Sequence, residues 1–186
     1  MKIKVDKNIT LQKVRLKSAE DIYTCIDQSR DTLREWLPFV DHTKSKEDVE
    51  KYIKSTLYKR GEKKELVFEV LVNKKLVGLL GMKDIDMLNK KAEIGYWLGK
   101  DAVGKGIMTQ SLIALLTYTF NEMKINRIQI KCAVENIRSC NIPKQLGFEY
   151  EGIERQGEYL YGKYLDLKIY SLLRKEWIRK EVTKVS

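Results

Sequence analysis

The hydrophobic period changes twice between Leu66 and Ala133, and this limits the possible folds more than any other feature of the chain. Leu66-Val-Phe-Glu-Val-Leu-Val is rich in β-branched and aromatic residues and reads as a strand. Asn73-Lys74 reads as a turn, with a returning strand from Lys75 to Asp84. After the polar Asn89-Lys-Lys, Ala92-Glu-Ile-Gly-Tyr-Trp-Leu reads as a third strand, completing an antiparallel meander. The glycine turn around Gly104 and Gly106 follows. From Ile107 to Met123 the spacing becomes helical, with Ile113, Leu116 and Phe120 on one face and Leu112 beside them. Residues Arg127 to Ala133 alternate again as a strand. A short helix from about Ile137 to Leu146 ends at Gly147, and closing strands begin at Phe148 and Leu165. A strand–helix–strand unit within an otherwise antiparallel sheet predicts an α+β fold with a mixed, mostly antiparallel central sheet flanked by helices.

The N-terminal third predicts an opening strand over Leu11–Leu16 and then helices. Ser18 stands where an N-cap belongs, followed by Glu20 and Asp21 in the first turn, with Ile22, Tyr23 and Ile26 on the apolar face. A second helix runs from Ser29 towards Trp36 and stops before Pro38. Ser45 opens a third, with Glu47 and Asp48 in its first turn, an apolar face of Val49, Ile53 and Leu57, and an end at Gly61.

At 186 residues the chain is expected to form a single domain, 1–186. Its start, Met1-Lys-Ile-Lys-Val-Asp-Lys-Asn, has no apolar core of a secretory signal, and no apolar run reaches the ~18 residues of a membrane span, so no membrane partner is expected. Three irregularly spaced cysteines suit a reducing cytoplasm better than a disulfide framework. One histidine, His42, and no C-x-x-C motif predict no metal site. The formal net charge is +10, with charges interleaved as in Lys44–Lys51 and Lys59–Glu65. Without a Lys/Arg block or an aromatic-interleaved basic stripe, no direct nucleic-acid binding is predicted. The charge reads as a solvated cationic surface, or one suited to an acidic or ribosome-associated partner.

The sharpest local feature is Trp97-Leu-Gly-Lys-Asp-Ala-Val-Gly-Lys-Gly-Ile-Met-Thr. A strand ends, a glycine turn follows and a helix begins at once. Successive backbone N–H groups then face outward at a helix N-terminus, where the helix dipole also favours an anion. The turn is not a Walker A loop, because no Gly-Lys-Ser/Thr ends it, and Thr109 stands where a dinucleotide fingerprint has its third glycine. About thirty residues further on, Asn136-Ile-Arg-Ser139 begins the short helix, and Asn136 suits an N-cap.

Together, the two segments at this spacing resemble the GNAT N-acetyltransferases, and among them the RimJ/RimL type that acetylates ribosomal-protein N-termini. Trp36-Leu-Pro-Phe resembles that group's early helix end. Ile94-Gly-Tyr-Trp-Leu leads into Gly104-Lys-Gly-Ile-Met-Thr as its cofactor strand and turn do. Asn136-x-x-Ser139 through Leu-Gly-Phe148 resembles its second motif, and Glu158-Tyr-Leu with the strand around Asp166 its C-terminal segment. The resemblance spans about Ile9 to Trp177. It departs at Asp101, where the family usually has Arg or Gln.

The resemblance implies acetyl-CoA as co-substrate, a primary-amine acceptor, and direct attack of the amine on the thioester in a ternary complex. It implies that Trp97 and Leu98 meet the pantetheine arm. Val103, Gly104, Lys105, Gly106, Ile107, Met108 and Thr109 would hold the pyrophosphate, with Asn136 and Ser139 on the other side. Glu158 matches the general base, acting through water, and Ser139 the donor that protonates the coenzyme A thiolate. Trp36, Tyr159 and Tyr161 are candidates for the acceptor site, as is Tyr164, and a homodimer is an expectation. An α-amino group of pKa ~7.8 is about a tenth neutral at pH 7, whereas a lysine of ~10.4 is almost wholly charged. One carboxylate acting through water therefore suits an N-terminal amine, such as that of a ribosomal protein. The alternatives are a small-molecule amine, such as an antibiotic, polyamine or amino acid, and a non-catalytic acyl-CoA-binding module. Cys140 beside Ser139 has no histidine near it in sequence to activate it as an acyl carrier.

Overall fold

The computed structural model describes residues 1–58 and 64–178. Eight strands form one sheet: β1 Lys2–Lys4, β2 Ile9–Lys13, β3 Lys64–Val72, β4 Lys75–Asp86, β5 Lys91–Leu98, β6 Arg127–Ala133, β7 Glu149–Leu160 and β8 Lys163–Leu173. The α-helices that accompany them are α1 Ala19–Gln28, α2 Arg30–Arg34, α3 Lys46–Tyr58, α4 Ile107–Asn121 and α5 Ile137–Gln145, with a further helical turn over residues 174–178. The sheet order is β1-β2-β3-β4-β5-β6-β8-β7. Among the described residues the one parallel neighbour pair is β5 with β6, joined through α4. The fold is thus α+β with a mixed, mostly antiparallel sheet, as the alternation of periods predicts.

Alternation along the strands divides the core between two faces. Phe68, Leu80, Met82, Ala92, Ile94, Ile128 and Ile130 pack with Leu112, Leu115, Leu116 and Phe120 of α4. Val67, Leu76 and Leu79 pack on the other face with Ile22 and Ile26 of α1 and Val49 and Ile53 of α3. Ile113 is only partly buried. Leu112, Leu116 and Phe120 are buried as the sequence reading has them, and Leu115 and Thr119 join them on the buried side of α4.

One local reading changes. Ser18 does precede α1, but its hydroxyl makes no cap; it donates to Glu69 Oε1 in the interior. Ser29 likewise leads α2 without a side-chain cap, and its Oγ accepts from the N–H of Lys100 at 3.0 Å. Strand β1, absent from the sequence reading, pairs Lys2–Lys4 with Thr10–Gln12. The end of α3 expected at Gly61, and the side chain of Leu57, lie outside the described residues. Among the described residues no helix is long and apolar enough to cross a membrane.

Candidate active site

The site is built where β5 and β6 part. Their parallel ladder runs from Lys91↔Arg127 to Ile94↔Ile130 and ends there. Beyond it, β5 continues to Leu98 beside β4, and β6 continues to Ala133 beside β8. The backbone of Gly95–Leu98 therefore has no ladder partner on its β6 side, leaving N–H and C=O groups available to an extended amide-bearing chain. Gly78 lets the end of β5 lie this close to β4: a Cβ on Gly78 would sit 2.2 Å from the carbonyl oxygen of Trp97.

The glycine turn follows. A 3-10 turn, Lys100–Ala102, docks on α1 and α2 through the Ser29–Lys100 hydrogen bond, and Gly99 donates its N–H to Val77 O at 2.8 Å. A Cβ on Gly99 would lie 2.9 Å from Cys25 Sγ. Val103 is extended, and Gly104 and Gly106 take φ of +79° and +71°, in the region that disfavours side chains. Nothing lies within 4 Å of a Cβ placed on Gly104. Gln110 makes the first intrahelical bond of α4, to Gly106 O at 3.0 Å, so the N–H groups of Ile107, Met108 and Thr109 have no intrahelical acceptor. Ile107 and Met108 bury their side chains while their amides stay at the helix end. Lys105 and Asp101 are exposed. An open cradle of free amides beside an unpaired strand edge suits a pyrophosphate with a pantetheine arm.

Across the gap lies the start of α5. Asn136 is its N-cap, with Oδ1 accepting from Ser139 N at 3.1 Å. Its Nδ2 is left as a donor. The Ser139 hydroxyl lies 3.3 Å from the Tyr96 hydroxyl and 3.3 Å from Cys132 Sγ. Tyr96 OH donates to Ser139 O at 3.1 Å. Burial pushes the Cys132 thiol up to about 12. Cys140 is buried, with Sγ 3.5 Å from Ala133 O. A buried thiol held to a carbonyl is poorly placed as a nucleophile.

Glu158, on β7 opposite Leu165, is partly buried. Burial raises its pKa above the usual carboxylate range; Lys83 opposes this and Glu93 adds to it. Lys83 and Glu93 are cross-strand partners on β4 and β5, 2.9 Å apart, on the face away from α4. The second group of candidates is gathered from distant parts of the chain. Tyr161, at the tip of the β7–β8 hairpin, donates to Leu37 O at 3.3 Å and lies 4.1 Å beneath the Arg34 guanidinium, two residues that flank Trp36 in the chain. Phe39 packs on Trp97 with ring centroids 6.3 Å apart. Tyr159 and Tyr164 stand apart from this junction. They are largely exposed and pair with each other at 5.0 Å. Sequence reasoning placed Tyr96 on the cofactor strand but missed its hydroxyl contacts with Ser139, and it missed Gly78 and the docking of the turn at Ser29. Only the position of Tyr96, two residues before the strand's end, could have signalled any of them.

Residues 8–149 match the acetyltransferase (GNAT) domain family. The chain belongs to the GNAT acetyltransferase family. The Bacillus subtilis (strain 168) protein YdaF is 36% identical over 94% of this chain and 96% of its own length. The ribosomal-protein-serine acetyltransferase of Escherichia coli (strain K12) is 32% identical over 91% and 94%. The structure of RimL, a ribosomal L7/L12 alpha-N-protein acetyltransferase in complex with coenzyme A, superposes with a TM-score of 0.89 at 29% identity, covering 95% of this chain and 99% of that one. This GNAT protein is an acyltransferase, and acetyl-CoA is its co-substrate.

Proposed function

We propose that this enzyme acetylates the N-terminal α-amino group of a protein, by direct attack in a ternary complex, with a ribosomal protein as the foremost acceptor. The observation carrying the reading is the arrangement around the open edge of β5. The glycine turn and Ser139 flank it toward α4 and α5, and the Lys83–Glu93 pair that acts on Glu158 lies on the opposite face. Support for the acceptor comes from the relatives, which are named for ribosomal-protein serine and L7/L12 N-terminal acetylation.

Acetyl-CoA, when bound, supplies the activated acetyl group as a thioester. The free amides of Ile107–Thr109 and the freedom at Gly104 and Gly106 bind its pyrophosphate. The unpaired backbone of Trp97–Leu98 aligns the arm, and a strand N–H there polarises the acetyl carbonyl. Asn136 holds the arm through Nδ2. Glu158 removes a proton from the acceptor amine through water, and its raised pKa makes it a better base than an exposed glutamate. Ser139 donates to the departing sulfur. Trp36 and Tyr161 border the acceptor entrance, with Tyr159 and Tyr164 at its rim. Residues 1–186 act in this reading as one cytoplasmic domain, active as a homodimer.

Release of coenzyme A, followed with a thiol reagent across N-terminal peptides, lysine peptides, polyamines and aminoglycosides, tests it. Turnover on a free N-terminus that falls by about a hundredfold or more in Glu158→Gln is the expected result. Turnover confined to small amines would replace the acceptor.

A further inference from the structure

We propose that Gly95 is the floor of the acceptor site: on the side of β5 that faces away from α4 the strand is bare at this residue, and the N-terminal residue of the acceptor chain lies against it. The inference rests on the reading of the acceptor as a protein N-terminus and names the surface that receives it.

Gly95 is exposed although β5 is an interior strand, with β4 on one side and β6 on the other. By alternation it shares a face with Glu93 and Trp97, while Ile94 and Tyr96 pack toward α4. Glycine weakens a strand interior, and it is found there where backbone strain, close packing or an approaching ligand calls for it. Strain is excluded, because Gly95 does not take a positive φ. Packing is excluded too: among the described residues nothing lies within 4 Å of a Cβ placed on Gly95. Its cross-strand partner Gly81 differs, since a Cβ there would lie 3.2 Å from Leu66 O and 3.2 Å from Val67 Cγ2. Gly81 serves the sheet, whereas Gly95 faces open space. At one end of that space Trp97 packs with Phe39, and Leu37, two residues before Phe39, accepts from Tyr161. At the other end stands the Lys83–Glu93 pair, which acts on Glu158. Four residues of strand separate Glu93 from Trp97, about 13 Å, more than twice the spacing between neighbouring strands. The end of an extended chain fits between them. Gly95 is also the first residue of β5 beyond its ladder with β6. The cofactor arm is read to run along that same open edge, so a chain end lying on Gly95 brings its amine to the arm.

A glycine that receives nothing would look the same in the fold. Gly95→Ala and Gly95→Val separate the two cases, because both suit a strand and only a bound acceptor meets the added methyl groups. The experiment measures three quantities for the wild type and both variants: the KM for a lysine-free peptide with a free N-terminal serine, the acetyl-CoA Kd by calorimetry, and Tm. The expected result is a peptide KM raised about tenfold in Gly95→Ala and further in Gly95→Val, with the acetyl-CoA Kd within about twofold of wild type and Tm no lower. A peptide KM unchanged in Gly95→Val overturns the proposal and leaves the acceptor reading standing. So does an acetyl-CoA Kd raised as much as the KM, which assigns the open space to the cofactor. A Tm lowered in both variants marks a glycine that the sheet itself needs, and this too overturns the proposal. A wild type that turns over no such peptide overturns the acceptor reading, and the proposal with it.

Discussion

At Glu158 the proposed function and the stability of the fold pull in opposite directions. Burial raises its pKa, so the folded chain binds that proton more tightly than the unfolded chain does. The stabilisation is fully present below the unfolded pKa of about 4.3 and is lost as pH rises through the folded value. Above that value the charged carboxylate is a burden, although only the charged form is a base. Glu158→Gln keeps the shape without the charge. Its Tm should exceed that of the wild type at pH 7.5, and the gap should close near pH ~4; thermal melts at both pH values check this. The charged groups acting on Glu158 from other strands are Lys83 on β4 and Glu93 on β5. In the wild type, kcat/KM should rise with pH through the folded pKa of Glu158. Lys83→Met should move that limb to higher pH and Glu93→Gln to lower pH. General damage to the site would not shift the limb in opposite directions.

At the scale of elements, the proposed cofactor site depends on where β5 can lie. Gly78→Ala would force a Cβ to within 2.2 Å of the Trp97 carbonyl, so β5 or β4 must move. The expected outcome is an acetyl-CoA Kd raised by about tenfold, read by calorimetry, because a displacement of about 1 Å is enough to misalign a bound chain. Gly106→Trp meets a different obstacle. Its φ of +71° disfavours any side chain, and the indole would stand among the free amides of the turn, so acetyl-CoA binding should be abolished. The Gly104–Gly106 turn was legible because strand, glycines and helix lie consecutively in the chain. Gly78 was not, because close approach of a neighbouring backbone leaves no mark on side-chain periodicity. Strand β1 escaped for a similar reason: Lys2-Ile-Lys is three residues long, too short to show a period. The pairing of Tyr161 with Arg34 and Leu37 joins positions more than a hundred residues apart, and no local pattern encodes it. Asn136, by contrast, was read correctly as a cap, because capping is a property of one turn of chain.

Across the whole molecule, one buried carboxylate ties the helical layer to the sheet and, through α1, to the glycine turn. Glu69 on β3 is 1% exposed and accepts from Gln12 Nε2 at 2.9 Å, from the N–H and guanidinium of Arg15, and from Ser18 Oγ at the start of α1. Beyond the other end of α1, Ser29 accepts from Lys100. Glu69→Ala would leave buried donors unpaired and should cost about 2–4 kcal/mol in urea unfolding. The net charge of +10 acts at longer range. It does nothing for the chemistry, but it raises the encounter rate with an acidic acceptor protein, and the Debye length of about 8 Å at physiological salt limits its reach. Raising ionic strength from 50 to 500 mM should therefore lower kcat/KM for an acidic protein acceptor by about tenfold or more, with kcat nearly unchanged. A neutral peptide carrying the same N-terminal residues should show little of that dependence. Equal salt sensitivity for both acceptors would mean that the charge serves solubility or cofactor capture, and that the acceptor is recognised by the site alone.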